Sequence, residues 1–461
     1  MLRIFELEQA LETILKRRTF DEIEVSEKQR ERTRAIFGED LSPEQAVRRI
    51  LKDVRLRGDD ALVEWTRKFD DVETSADKLV VSDEDIAAAY DQVDSETVAA
   101  LERAAERIAA FHSRSPAQTW MSTDLGGVLG QLIRPLNRVG IYVPGGSAPL
   151  ASSLLMCAIP ARQAGVEEVI VCTPPNRKTN TQYSSQTLPH PIVLVAADIA
   201  DVDMVYAVGG AQAVGAMAFG TDTIERVDKI CGPGNLFVTL AKKEVFGVVG
   251  IDALPGPTET VIVADEGASA IWVAADMMAQ AEHVGGTSIL LTPSRVFADE
   301  VNRQIQSLVA ELPASNADEI RDSFACRSGA VIAEDIFEAI ALADDYAPEH
   351  FCLSVKDPWA WVGKIRNAGG VFVGEHSYEV LGDYSAGPSH IMPTGGTARF
   401  NSPCNVLDFL RVMNVIALDE MTARQIAPVA VKLAQAEGLH AHALAAEKRI
   451  MNPEHTIRSM D

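Results

Sequence analysis

Arg138-Val-Gly-Ile-Tyr-Val143, Val166-Glu-Glu-Val-Ile-Val-Cys172, Ile192-Val-Leu-Val195 and Asp203-Met-Val-Tyr-Ala-Val208 decide the fold class of this chain. Each reads as a short β-rich run, and the segments between them are rich in small residues suited to helices. That alternation is the pattern of βαβ units around a mostly parallel sheet, whose strand ends carry ligand sites. A second series follows. Thr260-Val-Ile-Val-Ala-Asp265, Thr287-Ser-Ile-Leu-Leu-Thr292 and Gly370-Val-Phe-Val-Gly374 read as strands, with a helix over 268–283 before the second of them. The expected fold is α/β: two Rossmann-like domains with parallel sheets, a short helical N-terminal arm and a helical C-terminal tail. The expected boundaries are 1–37 for the arm, 38–141 with 260–404 for the first α/β domain, 142–259 for the second, and 405–461 for the tail.

Outward from that core, Ile4, Leu7, Leu11 and Ile14 keep a three-to-four spacing, so the arm carries one apolar face that must pack on something else. Ser42 before Pro43 reads as a helix N-cap with proline at the first helical position, the apolar face running through Val47, Ile50, Leu51 and Val54. Further helices are expected near 84–113. The stretch 174–189 is polar and rich in turn formers, and reads as an exposed loop.

A chain of 461 residues is long for one hydrophobic core, which supports more than one domain. Its 47% hydrophobic and 23% charged residues are ordinary for a globular protein, and no apolar run approaches the roughly 20 residues needed to cross a bilayer. The N-terminus mixes acids and bases from the start, so the expectation is a native, cytoplasmic terminus with no membrane partner. Six cysteines without a CxxC pair suit free thiols in a reducing compartment. A net charge of −24 argues against a nucleic-acid partner, because phosphate binding rests on clustered Lys and Arg.

Four polar clusters in the C-terminal half carry the chemistry: Gln280-Ala-Glu-His283, Ala347-Pro-Glu349-His350, Gly382-Asp383 through His390, and Glu437-Gly-Leu-His-Ala-His442. Imidazole, amide and carboxylate are donors that a borderline ion such as Zn²⁺ takes, and a neighbouring Glu-His pair suits proton transfer near neutral pH. Gln280 and His283 share one helix face, though such a pair is ordinarily a set of hydrogen-bonding surface residues. Pro348 fixes the turn that projects Glu349 and His350. Asp383 and His390 flank a segment too rich in turn residues for a helix, where an Asp ordinarily forms an Asx-turn. Glu437-Gly438 reads as a helix end, with His442 in the first turn of the next helix. Val143-Pro-Gly-Gly-Ser-Ala-Pro149 and Cys231-Gly-Pro-Gly-Asn235 are tight turns or sites of close backbone approach to a ligand, and neither has dinucleotide-fingerprint spacing.

Together with Gly209-Gly-Ala-Gln-Ala213 and Gly256-Pro-Thr-Glu259, these stretches resemble the histidinol dehydrogenase family from about Arg57 to the C-terminus. The resemblance implies oxidation of L-histidinol to L-histidine with two NAD⁺, by a homodimer holding one Zn²⁺ per subunit in active sites shared between subunits. It implies Gln280, His283, Asp383 and His442 as zinc ligands that also meet substrate, His442 reaching across from the partner subunit. Glu349 and His350 are implied as the catalytic pair. Tyr142, Gln212 and Asn235 are implied as NAD contacts, which makes 142–259 the NAD-binding domain. Thr258, His350, His390 and Glu437 are implied as further substrate contacts. Thr258 stands where Ser is common, and Ser147 and Ser389 vary small residues near the site. The rival readings are a zinc- and NAD-dependent dehydrogenase of another small polar alcohol such as a sulfonated diol, a Cys157 or Cys231 aldehyde dehydrogenase, and a non-enzymatic regulator.

Overall fold

The strand Arg138–Tyr142 lies at the centre of a five-stranded parallel sheet in the computed structural model, which describes residues 1–17, 27–114, 117–145, 149–176 and 188–451. The order across the sheet is Met204–Ala207, Glu168–Thr173, Arg138–Tyr142, Lys229–Cys231 and Gly250–Ile251. The chain steps outward from the central strand on one side, then returns to its other side, so the order reverses between Arg138–Tyr142 and Lys229–Cys231. Ile192–Val195, expected as a strand, instead lies in the helix Pro191–Ile199. His190 caps that helix and Pro191 takes its first position, while Val193 through Ala197 are buried. A short helix apolar on every side cannot be told from a buried strand by periodicity.

The second series forms a six-stranded parallel sheet in the order Ile4–Glu6, Gly329–Ile332, Thr287–Thr292, Glu259–Ala264, His350–Ser354 and Gly370–Val373. Its order reverses between Glu259–Ala264 and His350–Ser354. The arm supplies the edge strand Ile4–Glu6 before its helices Leu7–Leu11 and Glu27–Phe37. Gly329–Ile332 and His350–Ser354 are strands that the sequence pattern did not single out.

Ser42 caps the helix Pro43–Arg57 with a capping box completed by Gln45. This helix and Asp59–Asp70 pack Val47, Ile50, Leu51, Leu62 and Trp65 on the five-stranded sheet, although the sequence grouped them with the larger one. Gly215 allows the approach, since a Cβ there would stand 3.1 Å from Leu51. Helices Asp83–Tyr90 and Ser95–His112 pack with Ala151–Ala164 and Pro191–Ile199.

By its contacts the chain divides into two compact units, Met1–Arg114 with Leu136–Phe409, and Ser115–Pro135 with Leu410–Asp461. The first holds both parallel sheets. The second is an antiparallel sheet in the order Leu410–Ala417, Val128–Pro135, Trp120–Ser122, with helices Glu420–Ala436 and His440–Met451. The C-terminal tail thus begins with a strand before it becomes helical. Among the described residues no helix is long and apolar enough to cross a membrane. The expected loop 174–189 lies mostly outside the described residues, as does Ser147.

Candidate active site

Thr258, Glu259, Glu349 and His350 meet at the amino-terminal ends of the two neighbouring strands where the six-stranded order reverses, Glu259–Ala264 and His350–Ser354. Open α/β sheets ordinarily bind at the carboxyl ends, so this placement departs from the general rule. It follows from where the polar residues stand, each at or just before the first residue of its strand.

Glu349 is buried, and its Oε2 accepts from Thr258 Oγ1 at 2.6 Å and from the Glu259 backbone N–H at 3.1 Å. Burial raises its pKa against the opposing pull of His350, the Thr258 hydroxyl and the Glu259 amide. His350 Nδ1 lies 3.2 Å from the Glu259 carbonyl oxygen, which assigns the Nδ1 proton to that bond and leaves Nε2 as the open nitrogen. Nε2 has no hydrogen-bond partner and stands 3.6 Å from Asp383 Oδ1. Burial opposes charge on this ring, but Glu379, Glu349 and Asp383 around it win and raise its pKa.

Gln280 is buried in the last turn of the helix Ala270–Ala281. Its amide satisfies the surrounding groups when Nε2 donates to Glu379 Oε1 at 2.7 Å and Oε1 accepts from Glu259 N–H at 3.0 Å. The same amide touches Thr258 Oγ1, whose single proton is shared between it and Glu349. His283 falls beyond the helix end expected for it, past the cap Glu282, with Nδ1 3.2 Å from the Ala279 carbonyl. Asp383 lies on the short helix Glu379–Tyr384 rather than in the loop expected from its neighbours. Burial disfavours its charge, but His350 and then His390 and His283 hold its pKa low. His390 completes the loop, with Nδ1 2.5 Å from the Asp383 carbonyl and Nε2 3.0 Å from Ser153 Oγ.

Sequence reasoning missed Glu379. It is buried, its Oε2 has no partner, and its Oε1 faces His350 Nδ1 at 3.9 Å. The available signal was its place four residues before Asp383, which on a helix puts both carboxylates on one face.

Amide oxygen, imidazole and carboxylate from Gln280, His283 and Asp383, beside the unpartnered His350 Nε2 and Glu379 Oε2, fit the donor chemistry of zinc. Among the described residues no group of three or more His, Cys, Asp or Glu is disposed to hold a metal. An amide among the donors leaves only two ligands of those four types in the first unit. Glu437 and His442 belong to the second unit, where Glu437 caps the helix Glu420–Ala436 and His442 lies in the first turn of His440–Met451.

The three expected NAD contacts lie around the carboxyl ends of the five-stranded sheet. Tyr142 ends the central strand and its hydroxyl accepts from Gly210 N–H at 3.1 Å. Gln212 is fully buried near the start of the helix Gly210–Phe219, with neither amide atom partnered. Asn235 caps the helix Leu236–Val245 after the strand across the reversal point. An orphaned buried amide beside helix N-termini suits a polar, phosphate-bearing ligand. Cys157 and Cys231 are fully buried. Contact with Cys404 pulls the Cys157 thiol down, but burial together with neighbouring Cys231 and Asp252 raises it on balance, and burial drives Cys231 well up, so neither is set up as a thiolate nucleophile.

Asp276 lies one turn before Gln280, and burial with the Glu379 and Glu375 carboxylates pushes its pKa up to about 7. A carboxyl raised above its unfolded value costs nothing near pH 4 and its full penalty above pH 7, so stability falls as pH rises between them. Asp276→Asn is expected to raise the melting temperature of chelator-treated protein at pH 8, a gain on the order of 1–3 kcal/mol that vanishes near pH 4. Equal melting of the two proteins at pH 8 would remove this account.

The sequence model of the family described as Histidinol dehydrogenase matches residues 37–450. The histidinol dehydrogenase of Deinococcus radiodurans is 50% identical over 433 residues, covering 94% of this chain and 97% of that protein. That of Thermus thermophilus is 46% identical over 411 residues, covering 89% and 95%. The crystal structure of histidinol dehydrogenase from Elizabethkingia anophelis superposes with a TM-score of 0.86 at 32% identity, covering 97% of each chain. Matches of this extent take in both parallel sheets and all four polar clusters, and the chain belongs to the histidinol dehydrogenase family.

Proposed function

We propose that this dehydrogenase oxidises L-histidinol to L-histidine through L-histidinaldehyde, delivering two hydrides to two NAD⁺ in turn. The observation that carries the reading is the buried Glu349–His350 pair, held by Thr258 and Glu259 at the start of the neighbouring strand, with His350 Nε2 left open beside Asp383. Gln280, His283 and Asp383, with His442 of the partner subunit, would hold zinc. When bound, zinc supplies an anchor for the substrate amine and imidazole and offsets the carboxylate field around His350.

His350 Nε2 takes the hydroxyl proton as the first hydride leaves, its ring fixed by the Nδ1 bond to the Glu259 carbonyl. Glu349, whose raised pKa suits proton exchange near neutrality, orients and deprotonates the water that adds to the aldehyde. As that water adds, His350 returns its proton to the aldehyde oxygen, which frees Nε2 to take the hydrate proton as the second hydride leaves. Tyr142, Gln212 and Asn235 line the NAD⁺ site, and Thr258, His390 and Glu437 contact substrate, the Glu437 carboxylate suiting an imidazole N–H. Exposed Val412, Ile416, Met421, Val429 and Leu433 on the second unit support a homodimer, since so much apolar surface is seldom left bare; sites shared between its subunits follow from the assignment of His442 to the partner's zinc.

The test is NADH formed per L-histidinol consumed by purified protein with excess NAD⁺, before and after chelation. Two NADH per histidinol, lost on chelation and restored by zinc, are expected. No turnover with zinc bound would shift the assignment to another small polar alcohol.

A further inference from the structure

Arg17, the last described residue of the N-terminal arm before 27, reaches the back of the Glu349–His350 turn. The arm is anchored by its strand pairing with Ala330–Ile332 and by Phe5, Ala10 and Ile14, which pack in one cluster with Tyr346 and Phe351. From there the Arg17 guanidinium stacks on the Tyr346 ring, 3.4 Å from its centroid. Its Nε donates to the Tyr346 carbonyl at 2.7 Å, and Nη2 donates to the Ala347 carbonyl at 3.0 Å and to that of Tyr346. Nη1 pairs with Glu259 Oε2.

Those partners flank the reacting side chains. Tyr346 ends the helix Ile336–Tyr346, and Ala347 follows in the left-handed region with φ +51°, a conformation a non-glycine residue keeps only when its surroundings hold it. The next three residues are Pro348, Glu349 and His350. Glu259 is buried, its other oxygen accepts from Gly395 N–H at 3.0 Å, and its own backbone supplies the N–H to Glu349 and the carbonyl facing His350. One planar fork therefore fixes both walls of the pair, the chain leading into it and the residue across from it.

We propose that Arg17 is a positioning residue for catalysis, locking the Glu349–His350 turn through Tyr346, Ala347 and Glu259 without touching substrate. The inference rests on the roles proposed above for Glu349 and His350. Arg17→Met is expected to lower kcat about 100-fold, the scale of a small misplacement of reacting groups, with KM and zinc content nearly unchanged. Arg17→Lys, which keeps charge but not the fork, is expected to recover little of the loss, and added guanidinium ion to restore part of it to Arg17→Met. Hydrogen exchange at the amides of Glu349 and His350 is expected to accelerate in Arg17→Met while the strand Glu259–Ala264 stays protected.

The double variant Arg17→Met/Glu259→Gln removes both charges and gives the same reading where Glu259, left buried without its cation, prevents folding. An unchanged kcat, or a loss of activity that only tracks zinc content and melting temperature, would overturn the proposal. Should wild-type protein fail to oxidise histidinol, the proposed function falls while the exchange measurement still decides Arg17: faster exchange supports the lock and unchanged exchange refutes it.

Discussion

His350→Asn is expected to retain the fold and NAD⁺ binding while cutting turnover of L-histidinol by about 10³-fold, within the 10²–10⁴ range of a positioned proton-transfer group. The size of the effect follows from the geometry. An Asn amide nitrogen can take the place of Nδ1 and keep the bond to the Glu259 carbonyl, so the buried strand start loses no partner. What disappears is Nε2, the one nitrogen without a protein partner and therefore the group able to take a proton from a ligand. The measurement is steady-state kcat for both oxidation steps, with melting temperature as the control for folding. Turnover within tenfold of wild type would assign the proton to another group, with Glu349 first in line.

The largest loss of stability is expected from Lys242→Met. Lys242, fully buried, forms an ion pair with the nearly buried Asp252 carboxylate beside the turn at Gly232. Lys242 Nζ donates to the Gly232 carbonyl at 2.9 Å, and Asp252 Oδ2 accepts from Gly232 N–H at 2.8 Å. Gly232 has φ +110°, and a Cβ there would lie 2.2 Å from the Tyr142 carbonyl, so the pair clamps a turn that no other residue could form. Removing the cation leaves a buried carboxylate uncompensated, at a cost of about 3–5 kcal/mol. The melting temperature should fall by roughly 5 °C for a chain of this size. Lys242→Met/Asp252→Asn removes the stranded charge, keeps an acceptor for Gly232 N–H, and is expected to recover most of the loss. A single variant that melts with wild type would show that water reaches Asp252.

Much of this protein was legible in the sequence because the relevant signals are local. Buried parallel strands must be continuously apolar, and Val169–Cys172 and Ile289–Leu291 announce themselves that way. Ser42-Pro43-Glu-Gln45 contains every group of its capping box, and Gly438 (φ +74°) ends a helix where the sequence placed the break. Other signals failed for equally local reasons. Ile192–Val195 carries the composition of a strand but sits behind His190-Pro191, which starts a helix. His350–Ser354 opens with a polar residue that tertiary structure buries.

The sequence by itself determined the α/β class, the two series of strands, the family resemblance and the identity of most candidate site residues, since these depend on residue type and on spacing along the chain. Only the tertiary structure decided that Thr258, Gln280, Glu349 and Asp383 converge, that they do so at the amino ends of the strands, and that Glu379 and Arg17 stand with them. Crossovers in a parallel sheet bring together residues 90 or more positions apart, and Arg17 reaches Glu259 across 242. Contacts at such separation are set by sheet order and packing, for which no short stretch of sequence carries a sign.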